Sequence, residues 1–243
     1  MGRSALGADR FSHDADDLLA GDIGAAGGSS KGMNTRTQSR PEELANSLSH
    51  GAALLGALAA VPFLLGAANP AGQAPRTGAV IFALTMVLLY FTSTVYHALP
   101  DGRGKNFFLK LDHGAIFFFI AGSYTPFALA TPNATPDWIT LGLVWLLAVL
   151  GAALKISNKL SAPWLSTSLY LLMGWLVLVA ALPVVQHVSS DVMNLLLLGG
   201  AAYSVGVIFF ALDVKVKYAH TVWHALVATG TACHFFAVLG CAV

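Results

Sequence analysis

Seven apolar runs, each near the length a helix needs to cross a bilayer, follow one another through this chain. They cover about Leu44–Ala68, Thr77–Leu99, Phe107–Ala130, Trp138–Leu154, Trp164–Val185, Val192–Leu212 and Ala219–Val243. A hydrocarbon core about 30 Å thick takes roughly 20 residues of helix. Turn-forming residues mark the breaks: Asn69-Pro70, Pro100-Asp101-Gly102, Thr131-Pro132-Asn133 and Ser161-Ala162-Pro163. The fourth run is the shortest. Of 243 residues, 56% are hydrophobic and only 10% charged, and the mean hydropathy is +0.68. A soluble domain carries about 25% charged residues, so this chain cannot coat a globule of its size in water. It reads as an all-α integral membrane protein.

The thirteen basic residues test the number of spans. Arg3, Arg10, Lys31, Arg36 and Arg40 precede the first run. Arg103, Lys105 and Lys110 follow the second, Lys155 and Lys159 the fourth, and Lys215 and Lys217 the sixth. Only Arg76 falls in an alternate connection. Loops rich in Lys and Arg stay in the cytoplasm. Losing one span would scramble that alternation. The expectation is a seven-transmembrane helix bundle with the N-terminus cytoplasmic and the C-terminus outside. Gly51, Gly56, Gly122, Gly151, Gly199 and Gly200 would let helices approach closely. Pro62, Pro126 and Pro183 would kink theirs.

Residues 1–40 differ from the rest. They are rich in Gly, Ser, Ala and Asp and lack the apolar core of a secretory signal. A flexible cytoplasmic tail is expected over Met1–Arg40, with the membrane domain spanning 41–243 and its first helix an uncleaved anchor. A net charge of +1 offers no basic face for nucleic acid. Membrane lipids are the expected surroundings. Cys233 and Cys241 share one run eight residues apart and cannot bridge each other on a helix.

Polar clusters interrupt the apolar runs at one predicted membrane level. Ser93 and His97 end the second run, Asp112 opens the third, and His220 and His224 open the seventh. Glu43, Asn46 and His50 open the first. Ionisable groups inside a membrane are costly and usually functional. His220 and His224 are one helical turn apart, so their rings point the same way. With His97 from another helix they make the three-ligand set of a zinc site whose fourth position stays open. Asp112 is then placed to orient a water there or to take its proton, with Ser93 a nearby hydrogen-bond donor. Glu43, Asn46 and His50 are candidates to support these ligands. Glu42 and Glu43 equally suit a helix N-terminus behind Pro41.

Other histidines fit less well. His113 faces about 100° away from Asp112 on a helix and reads as a packing residue. His234 lies about 15 Å deeper than His224 by helical rise and suits a bond to a neighbouring helix. His13 falls in the tail and His187 on the opposite face. No glycine-rich phosphate loop or HExxH is present. Ser93, His97 and Asp112 also lack the elbow that exposes a serine nucleophile.

At these residues the sequence resembles the hemolysin III family, bacterial members of the progestin and adipoQ receptor superfamily. The resemblance rests on Glu43-Leu-Ala-Asn46-Ser-Leu-Ser-His50, Ser93-Thr-Val-Tyr-His97, Leu111-Asp112-His113-Gly-Ala-Ile, Ala121-Gly-Ser-Tyr-Thr-Pro126-Phe, and His220-Thr-Val-Trp-His224 followed by His234-Phe. It implies seven helices with an inward N-terminus. It also implies a zinc ion near the cytoplasmic face on His97, His220 and His224, with Asp112 on the metal's water and Ser93 beside it. Relatives linked to ceramide hydrolysis imply a lipid amide or ester as substrate, and the family name implies cytolysis. Two functions follow as expectations: a zinc-dependent membrane hydrolase of a lipid-like substrate, or a receptor, channel or cytolytic protein in which zinc is structural.

Overall fold

The computed structural model describes residues 36–67, 73–129, 138–160, 162–185 and 189–242. Among them lie seven helices and no strand: α1 Arg40–Ala67, α2 Gln73–Ala98, α3 Arg103–Leu129, α4 Trp138–Ile156, α5 Pro163–Val185, α6 Ser190–Leu212 and α7 Ala219–Ala242. Each begins and ends within a few residues of an apolar run. The tail read over Met1–Arg40 lies outside the described residues except for its last five. The breaks at Asn69-Pro70 and Thr131–Asn133, together with His13 and His187, lie outside them too. The break at Pro100–Gly102 is a turn in which Gly102 takes φ +154, a value that side chains disfavour.

Helices α1, α2, α4, α6 and α7 are long and apolar enough to cross a membrane. The sequence treats α3 as their equal, but composition does not single it out. Among the described residues, helix α5 supplies an apolar stretch over Trp164–Val179. Helix α3 opens on Arg103, Lys105, Lys110 and Asp112. It packs against α2, α4, α5 and α7, and every residue from Ala121 to Leu129 is buried. A helix enclosed by its neighbours meets little lipid, so it tolerates polar groups if they are bonded. Thr125 Oγ1 accepts from Trp145 Nε1 at 3.1 Å and donates to the Ala121 carbonyl at 2.8 Å. Pro62 and Pro126 sit inside α1 and α3.

The outside is apolar and part of the inside is polar. Ile139 is 78% exposed and Leu55 70%, whereas Asn46 is 0% and Ser93 1% exposed. Water would penalise so broad an apolar surface; hydrocarbon does not.

Helices α6 and α7 interlock through glycines. A Cβ on Gly206 would lie 2.7 Å from the Trp223 ring, and one on Gly230 would lie 2.6 Å from Tyr203. Gly122 likewise admits Thr85, and Gly151 admits Phe117. Gly56 and Gly200, read from sequence as close contacts, have nothing within 4 Å. Gly206→Leu is therefore expected to destabilise the bundle by about 1–3 kcal/mol through overpacking. Gly56→Ala, whose added methyl meets nothing within 4 Å, should instead raise stability slightly, by up to about 1 kcal/mol, because alanine is the better helix former.

Candidate metal site

Alternating helix direction brings the start of α1, the end of α2, the start of α3 and the start of α7 to one end of the bundle. His220 and His224 lie in the first two turns of α7, with ring centroids 4.7 Å apart. His97 comes from the last turn of α2, 5.1 Å from the His220 ring and 4.9 Å from the His224 ring. One donor nitrogen from each of the three lies within 4.8 Å of the others, so the group can hold a metal ion. His97 and His224 are buried, and His220 is half-buried.

The hydrogen bonds decide which nitrogen is free. His97 Nδ1 donates to Glu43 Oε2 at 2.7 Å, and His220 Nδ1 donates to Asp213 Oδ2 at 2.8 Å. His224 Nδ1 is shared between the Asn46 carbonyl at 3.1 Å and Ser49 Oγ at 3.0 Å. Each ring thus places its proton on Nδ1 and keeps a lone pair on Nε2. The Nε2 of His97 is buried with no hydrogen-bond partner. An imidazole held through one nitrogen by an oxygen, with the other free, is how proteins orient metal-binding histidines. These three residues fit a zinc ion by that test.

The other candidates join from the sides. His50 stacks flat on His224, with centroids 3.5 Å apart and planes 7° apart. Its Nδ1 donates to Ser93 Oγ at 2.6 Å, and Ser93 in turn hydrogen-bonds Asp112. Ser93 and Asp112 therefore form a chain that reaches the histidines through His50. Glu43 meets His97, and Lys105 Nζ holds its other oxygen at 3.0 Å. Asn46 reaches His224 through its backbone carbonyl. Its side chain instead joins Thr221, which donates at 2.6 Å, to Gln38, which accepts at 2.6 Å.

Sequence reasoning missed Asp213, Ser49, Lys105 and Arg36. Asp213 carried a signal, an acid seven residues ahead of His220, but only the loop conformation reveals the bond. His234 bonds the Leu196 backbone on α6 and packs into the space left by Gly199. The His113 carbonyl accepts from Tyr170 Oη at 2.9 Å. Removing an acceptor behind a ligand usually weakens metal affinity about 10- to 100-fold. Glu43→Gln, which keeps the shape and loses the charge, should fall at the low end of that range in a chelator competition.

A family profile described as Haemolysin-III related matches residues 38–235. The chain belongs to the haemolysin III family. It is 38% identical over 211 residues to Hemolysin-3 of Bacillus cereus, covering 85% of this chain and 94% of that protein. It is 39% identical over 199 residues to the Hemolysin-3 homolog of Bacillus subtilis, covering 82% and 93%. A human relative, monocyte to macrophage differentiation factor, is 29% identical over 167 residues, covering 65% and 67%. No solved structure matches the chain. Family membership and the apolar helices together make this a multi-pass membrane protein.

Proposed function

We propose that this haemolysin III protein is a zinc-dependent hydrolase of a bacterial cytoplasmic membrane, cleaving an amide or ester bond in a lipid-like substrate. One observation carries the reading: three histidines from two helices bring one donor nitrogen each within 4.8 Å of the others while every Nδ1 is engaged by an oxygen. Three protein ligands leave one position for a reactant, as in catalytic zinc sites. A zinc ion held there supplies Lewis acidity towards a carbonyl and makes water a nucleophile near neutral pH.

The chain's own residues do the rest. Asp112, one oxygen engaged by Ser93, keeps lone pairs with which to take a proton from the attacking water and return it to the leaving group. His50 fixes the Ser93 hydroxyl. Glu43, Asn46 and Ser49 hold the His97 and His224 rings in the ligating tautomer. The basic residues clustered at alternate connections support an N-terminus in the cytoplasm, with the site near that face. A substrate that partitions into lipid suits a site enclosed by lipid-facing helices.

The test is hydrolysis of a panel of lipid amides and esters by purified protein, with His97→Ala and Asp112→Ala as controls. Activity that ignores the metal, or no activity at a full zinc complement, removes the hydrolase reading. A second reading has its own support: the candidate ligands come from α2 and α7 and their acceptors largely from α1, so zinc would pin three helices. In a receptor, channel or cytolytic protein of that kind, His220→Ala lowers thermal stability, and dye release from liposomes, not hydrolysis, is the measurable output.

A further inference from the structure

Beside the histidines lies an ion pair that the ligand set does not use. Glu42, in the first turn of α1, is 2% exposed. Arg36 holds it with two parallel bonds, Nη1 to Oε2 and Nη2 to Oε1, each 2.7 Å. Ser39 donates to Oε2 from its amide at 3.0 Å and its hydroxyl at 2.8 Å. The amide bond is the capping-box contact of a helix start. Capping does not account for the remaining contacts. The Tyr218 amide donates to Glu42 Oε1 at 3.0 Å. Arg36 Nη2 also donates to the carbonyls of Asp213 at 3.1 Å and Val216 at 3.3 Å.

All three of those backbone groups belong to the connection between α6 and α7. Tyr218 takes φ +60 there, a left-handed conformation that a non-glycine residue adopts at a cost and keeps only when its surroundings enforce it. Asp213 carries the carboxylate that fixes the His220 ring. His220 is also the least buried of the three histidines, so its geometry leans most on this loop. The carboxylate of Glu42 raises the Arg36 guanidinium above its already high ordinary value, so the cation is permanent.

We infer that Arg36 and Glu42 are positioning residues: a clamp on the α6–α7 loop that sets the metal affinity of the site through Asp213 and His220. This rests on reading the three histidines as a metal site. It adds that the affinity is governed by a strap ahead of the first helix, which touches none of them.

The experiment uses full-length protein in detergent, zinc in competition with a chelator, and cobalt as a coloured substitute. Arg36→Ala and Asp213→Asn should each weaken zinc binding about 10-fold or more. The double variant should be no weaker than Asp213→Asn alone, because both changes act through one carboxylate. Arg36→Lys, whose single ammonium cannot grip both oxygens and the loop, should fall between wild type and Arg36→Ala. It carries the comparison if Arg36→Ala does not fold. The visible spectrum of the cobalt form should change in Arg36→Ala and match that of Asp213→Asn. Wild-type affinity in Arg36→Ala, or a loss that adds in full to that of Asp213→Asn, overturns the clamp alone. Wild-type protein that takes up no zinc overturns the metal reading and the clamp with it.

Discussion

Replacing His224 with alanine is expected to reduce zinc in the purified protein from about one ion per chain to background. Its ring is buried, its Nδ1 proton is spoken for, and one of its nitrogens lies within 4.8 Å of a donor nitrogen on His97 and on His220. Two histidines alone hold zinc far more weakly than three. The effect should also appear in stability. A ligand present at about 1,000 times its dissociation constant stabilises the folded form by about 4 kcal/mol. Chelation should therefore lower the melting temperature of wild type and leave that of His224→Ala unmoved. His234→Ala is the matching control: its ring bonds α6 rather than the cluster, so zinc content should survive. Equal zinc in wild type and His224→Ala would remove the metal site.

Asp112→Asn should lower turnover of a lipid-amide substrate by about 100-fold or more while zinc content stays at the wild-type level. The amide oxygen can still accept from Ser93, so the local chain of bonds is kept. What is lost is a group able to take a proton, and proton transfer by a positioned side chain contributes about 10²–10⁴-fold. Ser93→Ala should cost less, because it only frees the carboxylate to reorient. The readouts are kcat and metal content on the same preparation. Full turnover in Asp112→Asn would discard its catalytic role and favour the structural reading of the zinc.

The helices were legible because a bilayer sets a length and a hydropathy that stretches of sequence satisfy one by one. Environment was less legible. Helix α3 reads as one more span, yet it is enclosed on several sides, which lets it carry Asp112, Ser123 and Thr125. The HxxxH pair on α7 was readable because 3.6 residues per turn stacks positions four apart. The acceptors behind the rings were harder. Glu42 and Glu43 are adjacent, and sequence offered both the same alternative at a helix start. They point about 100° apart, so Glu42 joins the cap and the loop while Glu43 turns to His97. Asp213 follows no period, since it precedes His220 across a turn. The acceptor from Asn46 is a backbone carbonyl, which residue identity does not encode.

The short hydrophilic connection carrying Lys215 and Lys217 would tempt anyone mapping topology to insert an epitope or a protease site there. Almost every stretch of its main chain is already committed: Lys215 and Val216 donate back to the Leu212 carbonyl, Asp213 and Val216 accept from Arg36, and Tyr218 donates to Glu42. A reporter placed between Asp213 and Tyr218 would thus describe a molecule it had already damaged. Cleavage by added protease should be slow at those lysines despite their exposure.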